Sequence, residues 1–412
     1  MVAPNPPDAD RRAALRAALP ALDAGIYLNT GSVGPMPLET AAAMAEMAEY
    51  ELRTGRAHPD YWQETLQRMA EARAAVAAVL TADASDIALT HSTTDGVNLA
   101  IWGIDWRSGD RAVTTNLEHP GGIGALVNLR ERLGIDLVVV DVGPHRTEEE
   151  VLAAFEAAID ARTRAVAVSH VLWSTGTVMP IAAIAELAHA RGAVMVVDGA
   201  QSAGAIPIDL ASTHADVYAI SAQKWLLGPE GMGAVAITPA GRDRLRPSFG
   251  GHLTFESVDA SGEATFWPDA RRFEWATFHR PSIVGFARSV GWLSMFVGLD
   301  WLYATAAEQA RRAARGLAAI DGVELVTPLD RMATLVSFRI AGWPAQVALD
   351  ELGARVFAVA RTVPLIDAIR ISVGAFASDD ELDRFVGTVA LLAAHSPATI
   401  PPRRTLTILD GG

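Results

Sequence analysis

The stretch that most constrains this chain is AVMVVDGAQSAGAIPIDLASTHADVYAISAQKWLLG, residues 193–228. Its run VMVVD reads as a strand apolar on both faces and ending in an acid, Asp198. A turn of small residues follows, and a second apolar run at 216–221 leads to a lysine, Lys224, with glycines behind it. Strands with no polar face need cover on both sides, which calls for a mostly parallel sheet with crossover helices. Such sheets bind ligands in the crevice outside the carboxyl ends of their strands, and the sequence places Asp198 and Lys224 there. A surface lysine and a strand-end aspartate can occur in any α/β protein, so the pair alone leaves the function open.

The rest of the chain repeats the pattern. Short, β-branched apolar runs at 87–90, 111–115, 136–140, 165–170 and 233–237 predict further strands. Helical spacing at 38–55, 60–80, 122–133, 148–159 and 181–191, and a helix start at Val97, supplies the cover. The predicted class is α/β, a mostly parallel sheet clothed in helices. After Pro239 the pattern changes: 242–276 reads as irregular, 282–296 and 302–318 as helices. Short runs at 323–326, 332–339, 356–360 and 368–372 around a helix at 345–352 then predict a small α+β domain. At 412 residues two domains are expected. The expected division is an arm at 1–27 packing with the small domain, a large domain at 28–288 and a small one at 289–412, with 396–412 extended.

Composition narrows the chemistry. A formal charge of −14 argues against nucleic acid or anionic membrane as partner. The chain has no cysteine, which removes disulfides, thiolate metal sites and any cysteine nucleophile. No metal is expected. The start of the chain carries acids beside its arginines and does not read as a signal peptide. No apolar run approaches the ~20 residues of a membrane span, so the expectation is a soluble, cytoplasmic protein.

Two loops stand out. HSTTDG at 91–96 lies between a strand and a helix start, where N–H groups and hydroxyls converge into an anion site. The same residue types also build an ordinary helix cap. YLNTGSVGPMP at 27–37 reads equally as a connector or a lid.

Taken together, YLNTGSVGP, HSTTDG, NLEHPGG, VVDGAQ, SAQKWLLGPEGMG, RFEWATFHRP and AIRISVGAF resemble the class V aminotransferase family of fold-type I pyridoxal-phosphate enzymes, in order and spacing, over nearly the whole chain. The resemblance implies pyridoxal 5′-phosphate as cofactor, with Lys224 as the lysine that joins its aldehyde. It implies Asp198 as partner of the pyridine nitrogen, Gln201 as partner of the phenolic oxygen, and His119 stacked on the ring and able to move protons. For the phosphate it implies Thr93, Thr94, Ser221, Gln223 (where the family often has histidine) and Thr277. The last reaches across from a neighbouring subunit, so a homodimer with a shared site is expected. Arg370 is implied as the grip on the substrate carboxylate, with Asn29, Thr30 and Trp173 as further substrate contacts.

Family desulfurases carry a catalytic cysteine in the segment that here reads FAVARTVPL, residues 357–365. Its absence sets the expectation against a persulfide-forming desulfurase. The expected reaction is a β-eliminating C–S lyase acting on a cysteine S-conjugate, in secondary metabolism. Behind it stand epimerisation, oxidative deamination or decarboxylation, and transamination. A non-catalytic sensor or scaffold is the reading of a different class, and the intact lysine, aspartate, glutamine and arginine set argues against it.

Overall fold

The computed structural model describes residues 8–403. Residues 1–7 of the expected arm and 404–412 of the expected extended tail lie outside the described residues. The predicted runs form a seven-stranded sheet in the order Ile87–Thr90, Gly233–Ile237, Val217–Ser221, Val194–Asp198, Thr163–Ser169, Arg111–Thr115, Asp136–Val140. Gly233–Ile237 runs antiparallel to both its neighbours, and all the other pairs are parallel. The class is α/β, a mostly parallel sheet clothed in helices.

Both faces of the central strands are buried, as their unbroken apolar runs require. One face packs under Met69, Val76 and Leu80 of helix Tyr61–Leu80, together with Ile283 and Phe286 of helix Arg280–Trp292. The other packs under Val97 and Ile101 of helix Thr93–Trp102 and Leu126 and Leu129 of helix Pro120–Leu133.

A second sheet is antiparallel throughout, in the order Val323–Leu325, Leu335–Ile340, Ala368–Ser372, Arg361–Val363. Helices Leu299–Ala318, Ala345–Val356 and Asp379–Ala393 bury their apolar stripes against it. Near the start of the chain, Ile26–Tyr27 pairs in parallel with Ala358–Val359, and Ile26 and Leu28 join the core of this sheet.

Two expectations change. The segment 242–276 contains a hairpin, Phe255–Val258 with Ala264–Phe266, closed by Asp259 accepting from the Ser261 and Glu263 N–H groups. Its strands are short and largely exposed, so no apolar alternation marks them. The helix expected through 296 leaves the α-helical path at Trp292, because Leu293–Val297 winds into a π turn ending on Gly298 at φ +85°. The next helix starts at Leu299, bent by 85° from its predecessor; among the described residues no single helix is long and apolar enough to cross a membrane.

Candidate active site

The carboxyl ends of the central strands open into a cleft of about 210 Å³. It gathers Thr93, Thr94, His119, Trp173, Asp198, Gln201, Ser221, Gln223, Lys224 and Arg370.

The phosphate end is built by helix Thr93–Trp102. Ser92 caps it, accepting from the Asp95 N–H, and leaves the N–H groups of Thr93 and Thr94 in the first turn, where a helix offers no acceptor of its own. The Thr93 and Ser221 hydroxyls meet at 2.5 Å. N–H groups, hydroxyls and the positive end of the helix thus converge on one point, a cradle for an anion.

At the other end Asp198 finishes its strand, with Oδ1 taking the Ala200 N–H at 2.9 Å. Its Oδ2 faces Gly122, and a Cβ built on that glycine would lie 3.2 Å from it. His119 caps helix Pro120–Leu133 by accepting the Gly121 N–H on Nδ1 at 3.0 Å, which fixes the ring and assigns the proton of the neutral imidazole to Nε2. Burial, then the neighbouring Lys224, holds its pKa below the ordinary histidine value. The Lys224 amine has no hydrogen-bond or ion-pair partner among the described residues. Burial, with Arg370 and Arg361 nearby, pushes it down to about 8 against the pull of Asp198.

The far wall comes from the second sheet. Arg370 is fully buried, donating from Nη1 to the Trp173 carbonyl at 2.8 Å and from Nη2 to Ser32 Oγ at 3.3 Å, while its Nε has no partner. Directly opposite it in register stands Arg361, whose guanidinium lies 5.4 Å over the Trp173 ring and reaches Ser32 Oγ at 3.4 Å. Neither arginine has a carboxylate partner among the described residues. Burial and then Arg361 bring the Arg370 guanidinium down to about 9.

Gln201 lines the cleft but is largely engaged, donating from Nε2 to the Gly31 carbonyl at 2.8 Å and accepting the Trp225 indole N–H at 3.0 Å. One amide hydrogen remains for a ligand. Gln223 keeps a buried Oε1 without a partner.

Three expected residues lie outside the cleft lining. Asn29 acts on Ser32, taking its hydroxyl proton at 2.8 Å. Thr30 is buried, and its hydroxyl has no partner. Thr277 is exposed beside His91, whose Nε2 approaches its carbonyl at 3.4 Å, because a buried pair, Arg73 and Glu274 at 2.8 Å, fastens this segment to strand Ile87–Thr90 through the Leu89 N–H. Gly31, Ser32, Ser92, Ser169, Ala200 and Arg361 line the cleft without having been singled out. Arg361 sits in the very segment read for its missing cysteine. Only its register against Arg370 reveals it, and register across an antiparallel pair is not written in the sequence.

An anion cradle, an acid at the far end and a free, low-pKa amine between them fit pyridoxal phosphate. The fold and site define a pyridoxal-phosphate-dependent enzyme. The pattern of the Aminotransferase class-V family matches residues 26–385, and the chain belongs to that family.

A probable cysteine desulfurase of Methanothermobacter thermautotrophicus is 30% identical over 348 residues, 82% of this chain and 84% of its own length. Probable cysteine desulfurase 2 of Mycobacterium leprae is 27% identical over 88% of this chain and 90% of its own. A solved complex of the cystine C–S lyase C-DES with its reaction product, cysteine persulfide, is similar at a TM-score of 0.85 and 28% identity, over 90% of this chain and 99% of that one.

These relatives overturn the expected function. A cysteine S-conjugate lyase that forms no persulfide does not agree with relatives named cysteine desulfurases, nor with a structural neighbour whose product is a persulfide. The missing protein sulfur does not exclude a persulfide. A persulfide needs two sulfurs, and both can arrive with the substrate.

Proposed function

We propose that this protein is a persulfide-forming desulfurase whose persulfide sulfurs both come from the substrate, a disulfide of cysteine. The observation that carries this reading is the pair of guanidiniums, Arg361 and Arg370, side by side on the cleft wall with no carboxylate among the described residues to neutralise them. Two such charges suit a substrate with two carboxylates, which a cysteine disulfide has and cysteine lacks.

Bound in the cleft, pyridoxal phosphate supplies a pyridinium that accepts the electron pair of the broken Cα–H bond. Asp198 keeps the ring nitrogen protonated. Thr93, Thr94 and Ser221 hold the phosphate, with Gln223 at its edge, and Gln201 offers its spare hydrogen to the phenolic oxygen. His119 covers the ring face. Lys224 would hold the cofactor through its aldehyde and, with its amine free, would take the α-proton of the substrate. Arg370 grips the reacting carboxylate and Arg361 the distant one. Trp173 shields the sulfurs from water.

The Cβ–S bond then breaks with its electron pair on sulfur, and Lys224 returns its proton to make the persulfide. Water and the remaining three-carbon fragment give pyruvate and ammonia.

The test is turnover of the holoenzyme on cystine and on cysteine, scoring pyruvate, alanine and cyanide-reactive sulfur. The expected result is equal pyruvate and sulfane sulfur from cystine. Alanine from cysteine, with sulfur appearing only when a protein thiol is added, would overturn it.

We also propose that two copies share each site, Thr277 of one reaching the phosphate of the other. In support, Thr277 is exposed, and two residues before it Trp275 pairs at 5.2 Å with the exposed Phe249. The division at 27 and 288 into arm, large domain and small domain is part of the same reading.

A further inference from the structure

Glu118, the residue before His119, is a buried acid for which the proposed reaction has no use. It is 7% exposed and takes the Thr115 hydroxyl at 2.8 Å, the Ser169 hydroxyl at 2.5 Å and the Ser169 N–H at 3.1 Å. Ser169 is the residue in register with Asp198 on the neighbouring strand. From the site where a Cβ on Gly122 would stand, Asp198 Oδ2 is 3.2 Å away and Glu118 Oε2 is 3.9 Å away. The space the two carboxyls share is walled by Val97, Ala167, Val168 and Val196 and has no room for a water. Two acids therefore face each other across a glycine in a dry, apolar gap, where charge is poorly screened.

We propose that Glu118 is a positioning residue for the cofactor ring, acting through Asp198: it is neutral while Asp198 is uncompensated and gives up its proton when a cationic ring settles on Asp198. Burial, with Asp198 beside it, pushes Glu118 up to about 7, against the hydrogen bonds from Ser169 and Thr115, which favour the charged form. A ring cation offsets the charge of Asp198 and tips the balance. Loading with cofactor and ionisation of Glu118 then favour each other, so affinity for the ring rises with pH through neutrality. The other charged groups are His119 beside it in the chain and Lys224, Arg361 and Arg370 on the cofactor side of the cleft. Lys224 also titrates, so its covalent chemistry is kept out of the measurement and its charge change is the same background for wild type and variant.

The experiment is binding of 4′-deoxypyridoxine 5′-phosphate, which keeps the ring nitrogen and phosphate but has no aldehyde for Lys224, to the apoprotein on either side of neutral pH. Fluorescence reports affinity directly, independent of turnover. Wild type is expected to bind about tenfold more tightly one unit above the Glu118 range than one unit below it. Glu118→Gln is expected to flatten that rise, and Glu118→Asp to keep part of it. Should glutamine disturb the fold, Ser169→Ala serves instead: losing a donor to the charged form moves the rise to higher pH. A pH rise equal in wild type and Glu118→Gln, or left in place by Ser169→Ala, would overturn the proposal and leave Glu118 as a brace for the His119 turn alone.

Discussion

The floor and the far wall of the cleft are built on opposite electrostatic and topological principles. The floor is acidic, Asp198 and Glu118, and rests on parallel strands and the turns that leave them. The wall is basic, Arg361 and Arg370, and rests on adjacent antiparallel strands of the small sheet. A parallel sheet delivers its functional residues one per strand, at the carboxyl ends, so each is tied to a local motif. An antiparallel pair delivers two residues face to face, so the wall's chemistry exists only once the register is set. Lys224 stands between the two and feels both, raised by Asp198 and lowered by the arginines.

The largest effect is expected from removing that intermediary. Lys224→Ala should abolish the visible cofactor band and cut turnover by at least about 10³-fold, since both the covalent attachment and the proton transfer are lost. Retained turnover would mean that the chemistry does not pass between floor and wall at all.

Arg370→Gln should come next. Hydrogen bonds to charged groups contribute about 1.5–3 kcal/mol each, so losing the buried fork should lower kcat/KM by roughly 100-fold. The change should be similar for every amino-acid substrate, because all carry the α-carboxylate. A loss confined to disulfides would assign the α-carboxylate to Arg361 instead.

The floor and wall also set a pH dependence. The neutral amine of Lys224 is the nucleophile, and burial, helped by the two arginines, brings it down to about 8. Capture of pyridoxal phosphate by the apoprotein should therefore quicken by about tenfold per pH unit up to that point and level off above it. Stopped-flow absorbance reads this directly. Arg370→Gln should move the step to higher pH, because it takes away a cation that disfavours the ammonium form. A step left in place by Arg370→Gln would mean the wall does not act on Lys224.

Arg361→Gln separates the two arginines. Its guanidinium is half-exposed, so the expected loss is smaller, about tenfold in kcat/KM on cystine, with little change on a cysteine derivative that has one carboxylate. Equal losses on both substrates would make Arg361 a support for Arg370 and Trp173, without a carboxylate of its own.

The contrast between floor and wall also explains what the sequence disclosed. Strands such as VMVVD are apolar on both faces, so their place in a covered sheet is a local property, and Asp198, Thr93, Ser221 and Lys224 follow from the turns that end them. Gln201 is visible in the same way, but its bonds to Gly31 and Trp225 are not, because both partners are distant in the chain. Arg361 looks like any charged residue in a short strand until Arg370 is set opposite it. The hairpin at 255–266 escapes for another reason: exposed on both faces, it has no apolar period to betray it. The absent cysteine is legible too, but it does not exclude a persulfide, since composition limits the protein's atoms and not the substrate's.

The finest test of the wall is Ser32, whose hydroxyl both arginines reach. Its own proton goes to Asn29, which leaves its lone pairs turned toward the two guanidiniums. That arrangement holds two like charges in one orientation, with no acid between them among the described residues. Ser32→Ala removes the shared acceptor while leaving the charges, so a loss of about 1 kcal/mol, roughly fivefold in kcat/KM, is expected. It should fall mostly on KM, because the arginines bind substrate and take no part in proton transfer. Asn29→Ala, which frees the Ser32 proton to point at the guanidiniums, should weaken binding in the same direction. A fall in kcat at unchanged KM would place Ser32 with the floor, acting on the reacting atoms through Lys224, and the division between an acidic floor that drives the chemistry and a basic wall that selects the substrate would have to be redrawn.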